Sequence, residues 1–209
     1  NVLNARAEIT ETRYDALGRV IDTIAYGGTL TVPVPGSRAS VQSVLATLVA
    51  VGATNSRIEL SYDRRGLLTE RKVWGDGDAR DVTRYAYNAF GELVTQQDME
   101  ADGTTVRRTT SWGYDARGQS TGTTQSGGGL SRTTSTTYDA FGRAITRTDA
   151  RGTTTSIAYD RLGRVITQST TVGGRVEASS LSYDAYGRIV TRTDALGNVT
   201  TYAYNDTNR

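Results

Sequence analysis

The chain has 209 residues, 24 basic and 22 acidic side chains for a formal charge of +2, and neither Cys nor His. That near balance, with no run of five like charges, leaves nucleic acid no electrostatic footprint to bind. The missing Cys and His exclude disulfides, thiolate chemistry, imidazole bases, Ser-His-Asp relays and the commonest metal ligands.

Leu, Ile, Val and Phe make up about a fifth of the residues, near the level at which disorder sets in, but disorder also requires high net charge. The composition predicts order with a thin apolar layer and much wetted surface. Twelve Tyr against two Phe agree with that, because Tyr carries an apolar ring and a polar tip. No apolar run approaches the length of a membrane span, and no signal peptide opens the chain. The chain begins in a strand-like run at Asn1 and ends in Tyr204-Asn205-Asp206-Thr207-Asn208-Arg209, a turn cut short. It reads as one repeat segment, 1–209, of a larger protein.

In chain order, one unit recurs: Tyr-Asp-x-x-Gly, mostly followed by Arg, then a β-prone run. It starts at Tyr14, Tyr62, Tyr87, Tyr114, Tyr138, Tyr159, Tyr183 and Tyr204, in steps of 48, 25, 27, 24, 21, 24 and 21 residues. Such a period marks a repeat architecture. Asp15, Asp63, Asp115, Asp139, Asp160 and Asp184 follow the Tyr, with Asn88 and Asn205 as variants that keep the side-chain acceptor. Gly18, Gly66, Gly91, Gly118, Gly142, Gly163 and Gly187 stand four residues after the Tyr, where a hairpin loop needs positive φ. A Cβ there costs roughly 1–2 kcal/mol. Each unit is therefore predicted to be a β-hairpin, and the fold class all-β, with antiparallel strands joined by short turns.

The first long step carries an insertion, residues 31–57. Thr31-Val32-Pro33-Val34-Pro35-Gly36 is extended, and then Val41, Val44, Leu45, Leu48 and Val49 recur at helical spacing. This predicts an amphipathic helix over Ala39 to Val51, capped by Ser37 or Ser40 and ended by Gly52. A Val-rich hairpin is the alternative.

The half-units between Tyr-Asp turns vary. Asp149-Ala150-Arg151-Gly152 and Asp194-Ala195-Leu196-Gly197 repeat the turn without Tyr, whereas Gly127-Gly128-Gly129 and Gly173-Gly174 are looser loops. Two acidic stretches invite a chemical reading. Asp76, Asp78 and Asp81 in GDGDARD contain the carboxylate pairs a glycosidase would use, but small neighbours offer no pocket to raise one pKa. Asp98, Glu100 and Asp102 before Gly103 resemble the start of a calcium loop, yet Thr109 stands where its bidentate Glu belongs. A solvated turn is the simpler reading of each. No phosphate-binding or dinucleotide fingerprint occurs, so no cofactor and no catalysis are expected.

Arg19, Arg143, Arg164 and Arg188 follow the turn Gly and could form a basic binding ladder. Each has an Asp four residues earlier, which favours a local ion pair. The Tyr rows suit packing first, and sugar stacking second.

Tyr-Asp-x-x-Gly-Arg alternating with Thr-Asp-x-x-Gly resembles the YD repeats of the Rhs family, over nearly the whole chain apart from Val34 to Arg57. The resemblance implies a β-sheet strip that spirals into a hollow shell, as also in toxin-complex shells and teneurins. In bacterial members that shell encloses a toxic domain of the same polypeptide. It implies a secreted or cell-surface location, with other repeats and an enclosed toxin domain as partners; glycans are the partners that the Tyr and Thr faces themselves suggest. The family's self-cleaving plug carries an Asp-Pro motif; this chain has only Pro33 and Pro35 and no Asp-Pro. Long bacterial surface YD-repeat proteins are similar too, which keeps an adhesion module open as the second function.

Overall fold

A computed structural model describes residues 9–26, 54–75 and 80–205. The helix expected over 39–51 lies outside these residues, as do Asp76 and Asp78. The described chain is all-β, with no helix among the described residues.

The chain divides into two compact units, Asn1–Thr110 and Ser111–Arg209. The first holds β1 (Ile9–Tyr14), β2 (Val20–Tyr26), β3 (Thr54–Tyr62), β4 (Leu68–Trp74), β5 (Arg80–Tyr87), β6 (Leu93–Met99) and the start of β7 (Val106–Tyr114). From β1 to β6, each strand pairs antiparallel with the next in sequence. The second unit holds the end of β7, then β8 (Ser120–Gly127), β9 (Leu130–Tyr138), β10 (Ala144–Thr148) and β11 (Thr154–Tyr159). It continues with β12 (Val165–Val172), β13 (Arg175–Tyr183), β14 (Ile189–Thr193) and β15 (Val199–Thr201). From β8 to β15 the order is again sequential and antiparallel. Thr is the commonest strand residue, because a branched side chain suits a pleated surface.

A feature that composition does not announce is a bulge beside the Tyr-Asp turn in six hairpins. Arg13 pairs with Asp22, but Tyr14 pairs with Val20, so Ile21 has no opposite residue. The same step occurs at Tyr62, Tyr87, Tyr159 and Tyr183, and beside Ala144 in the pair with Tyr138. A bulge increases local twist and turns the next side chains relative to the partner strand.

Burial is uneven. The buried apolar residues among those described are Ile24, Tyr26, Val82 and Met99, all in the first unit. Asp22 and Asp98 are buried beside them and are paired: Arg57 donates twice to Asp22 at 3.0 Å, and Arg108 holds Asp98. Burying a carboxylate without such a partner would cost several kcal/mol. No described residue of the second unit is fully buried, so its order rests on strand pairing and on what happens at the turns.

Candidate functional site: the interlocked Tyr-Asp turns

Each turn closes locally in the same way. In the first, the Asp15 N–H donates to the Arg19 carbonyl at 2.9 Å and the Gly18 N–H donates to the Asp15 carbonyl at 3.0 Å. The Asp15 Oδ1 accepts from the N–H groups of Leu17 and Arg19, both at 2.9 Å, and Oδ2 accepts from Arg19 Nε at 2.6 Å. One carboxylate thus satisfies three donors of a loop too short to pair them itself. Gly18 has φ +77°, and Gly163 has +85°, the conformation that lets a three-residue loop return the chain. Asp139, Asp160 and Asp184 repeat this pattern with Arg143, Arg164 and Arg188.

The carboxyl groups respond. The Arg19 N–H holds Asp15 below the usual carboxylate range, with the Arg19 guanidinium adding to it. At Asp160, desolvation is the largest effect and pushes upward, but the N–H and guanidinium of Arg164 outweigh it. Asp139 and Asp184 behave alike, so each is ionised at neutral pH and bound to its own arginine.

The turns are also tied to one another. Arg143 lies over the Tyr159 ring, 4.5 Å from its centroid, and Nη1 donates to the Asp160 carbonyl at 3.3 Å. Tyr159 returns the contact: its hydroxyl donates to the Ala144 carbonyl at 3.1 Å. Arg164, Tyr183, Asp184 and Val165 repeat this at 4.5, 3.4 and 2.8 Å. Arg188 lies 4.4 Å from the Tyr204 ring, whose hydroxyl reaches the Ile189 carbonyl. In the first unit, Arg19 and Tyr62 do the same at 4.7 Å, with Tyr62 donating to the Val20 carbonyl. The arginines are therefore neither a free basic ladder nor simple surface ion pairs: each bridges its own Asp and the next Tyr.

Where the arginine is missing, neighbouring residues take over its work. Leu67 and Gln119 occupy its position after Gly66 and Gly118, and Arg65 and Arg117, two residues after the Asp, reach forward instead. Arg65 binds Asp63 at 3.0 Å and donates to the Asn88 carbonyl at 2.8 Å. Arg117 donates to the Ala140 carbonyl at 2.8 Å, and Gln119 Nε2 to the Gly142 carbonyl at 3.0 Å. At Tyr87 the polarity is reversed: Asn88 Nδ2 donates to Glu92 at 2.6 Å while its Oδ1 still caps the loop. These substitutions are visible in the sequence as paired changes at positions two and four after the Asp, once the contact is known.

The other candidates do not converge. Asp98 lies at the end of β6, held by Arg108 and Gln96, and Asp102 is consumed by its own loop. The Thr105 hydroxyl, with the N–H groups of Thr105 and Thr104, holds Asp102 down to about 2. Glu100 closes that loop through its backbone. Among the described residues, no three acidic side chains form a metal cluster. Asp81 is on β5, in a loose pair with Arg107 at 3.8 Å. A shallow trough of about 330 Å³ in the second unit is lined by Trp112, Gly113, Gly122 and the hydroxyls of Thr123 and Thr134. It contains no acid, base or nucleophile pair.

The RHS repeat family model matches residues 131–176 and 183–209. No curated protein matches the chain. Among solved structures, the chain is similar to the TcdB2-TccC3-Cdc42 assembly, with 18% identity over 91% of this chain and a TM-score of 0.47. It is similar at 16% identity, over 91% of the chain and with the same score, to the Tc holotoxin pore of Photorhabdus luminescens. The chain spans about a tenth of the length of each of those chains, 10% in both cases.

Proposed function

We propose that these RHS repeats are a structural wall: a strip of stacked hairpins that, with flanking repeats, encloses or carries a toxin or effector domain of the same secreted polypeptide. The observation that supports it is the interlock itself. In the repeats that carry the full Tyr-Asp-x-x-Gly-Arg unit, the functional-looking groups are all committed: the carboxylate to its own turn and arginine, and the guanidinium and the next phenol to each other's hairpins. Groups spent in this way are not available as acid, base or nucleophile. A lone hairpin is marginal in water, but one whose turn is clamped on both sides is not. Proteolysis of the whole polypeptide that contains these repeats tests the reading. An enclosed domain resists protease until the repeats are unfolded; equal cleavage of that domain with and without folded repeats refutes enclosure.

A second reading, an adhesion module that binds neutral glycans, is favoured by one face of the second unit. Thr137, Thr146, Ser156 and Ser169 stand opposite one another across β9 to β12, a row of hydroxyls without charge. Binding of the chain to a glycan array, lost when Thr146 and Ser156 become Val and Ala, separates this reading from a passive wall.

A further inference from the structure

We propose that the Tyr-Asp rim of the second unit seats on an anionic lipid surface through its protruding turn tips. The residue before the turn Gly is Phe141, Leu162 and Tyr186 in three successive turns, and these side chains are 83%, 76% and 66% exposed. Alternate hairpins place them on one rim, about 10 Å apart at the ordinary strand spacing. Phe141 and Tyr186 rest one ring face against Arg143 and Arg188, at 5.2 and 5.1 Å. The first unit repeats the pattern by itself, with Leu17 76% and Phe90 87% exposed.

Charge at the tips has one sign. The two outermost positions of these three loops are Ala140-Phe141, Arg161-Leu162 and Ala185-Tyr186, with no acid among them. The nearest carboxylates, Asp139, Asp160 and Asp184, are each neutralised by an arginine at 2.6 or 2.7 Å. Arg161 is exposed and makes no hydrogen bond or ion pair among the described residues. The rim therefore presents apolar tips around an uncompensated cation.

This geometry suits a bilayer better than a protein. Protein interfaces concentrate their energy in anchors packed into pockets, and separated knobs offer a partner no such centre. A lipid interface accepts isolated apolar and aromatic tips between headgroups, and anionic lipid attracts the cation beside them. Acidic lipid is thus the complement in charge as well as in polarity.

Sedimentation of the full chain with vesicles of phosphatidylcholine, alone or with roughly one-fifth phosphatidylserine, tests this. The expected result is partition onto the anionic vesicles, weaker onto the neutral ones and reduced by salt. The double variant Phe141→Ser/Leu162→Ser lowers the partition coefficient at least about ten-fold on both compositions. Arg161→Glu lowers it about ten-fold on the anionic vesicles alone. The high exposure of all three positions predicts unchanged melting, and Arg161→Glu or the single Leu162→Ser replaces the double variant if that melts early. No partition onto either vesicle overturns the proposal, as does equal binding by wild type and Phe141→Ser/Leu162→Ser. Self-association that this double variant abolishes, without vesicle binding, assigns the rim to a second copy of the chain and also overturns it.

Discussion

Tyr183 tests the interlock most directly, because its two bonds to the preceding turn can be removed one at a time. Tyr183→Phe deletes only the hydroxyl that donates to the Val165 carbonyl at 2.8 Å and leaves the ring under Arg164. One such hydrogen bond is worth about 1 kcal/mol. In a unit of about 100 residues this lowers the melting temperature by roughly 4–8 °C. Tyr183→Leu also removes the ring surface that faces the guanidinium at 4.5 Å, a partly exposed cation–π contact worth about 1 kcal/mol, so the loss roughly doubles. A double-mutant cycle of Tyr183→Leu with Arg164→Met, followed by urea denaturation, isolates the pair. The expected coupling is about 1 kcal/mol, since the two side chains touch. Additive losses, or Tyr183→Phe that melts with wild type, would refute the claim that neighbouring turns hold each other.

Glycines on the strands and in the turns separate two kinds of constraint. A Cβ at Gly122 would lie 2.3 Å from the Thr134 carbonyl, backbone that cannot step aside, so Gly122→Ala costs about 3 kcal/mol. Gly152→Ala meets nothing within 4 Å and costs only the roughly 1–2 kcal/mol of positive φ, which calorimetric melting of the two variants ranks in that order. Asn88→Asp places a second carboxylate where Nδ2 now meets Glu92 at 2.6 Å; it destabilises, and adding Glu92→Arg restores the melting point. Acid should unfold the chain in a defined window. Asp15, Asp63 and Asp194 are held below the ordinary range, and Asp102 at about 2, so the unfolded chain binds more protons in acid. Stability is then complete above the unfolded aspartate pKa and falls as pH drops from about 4 toward about 2, as circular dichroism in an acid titration reads. Calcium at millimolar concentration gives no heat, because the oxygens of Asp98 and Asp102 already accept bonds from Arg108 and from Thr104 and Thr105; a saturable exotherm would contradict this.

The sequence by itself determined the hairpin period, the antiparallel order of strands and the chemistry of each turn. The turns rest on contacts between residues no more than about four apart, such as Asp160 with Arg164 or the fold-back at Gly163; such contacts can be read from spacing, and their short loops join consecutive strands antiparallel. The tertiary structure alone decided that Arg164, while it holds its own Asp160, also covers Tyr183, and that Arg117 does part of the missing arginine's work beside Gln119. It also decided that Gly122 is small because a neighbouring strand presses on it, and that, among the described residues, full burial of apolar side chains gathers around Ile24, Val82 and Met99 in the first unit. These depend on the register between strands and on the bulges beside the Tyr-Asp turns, which set where a side chain meets the next hairpin. Period and turn residues leave that offset open, because one unmatched residue costs little locally and moves every cross-strand contact beyond it.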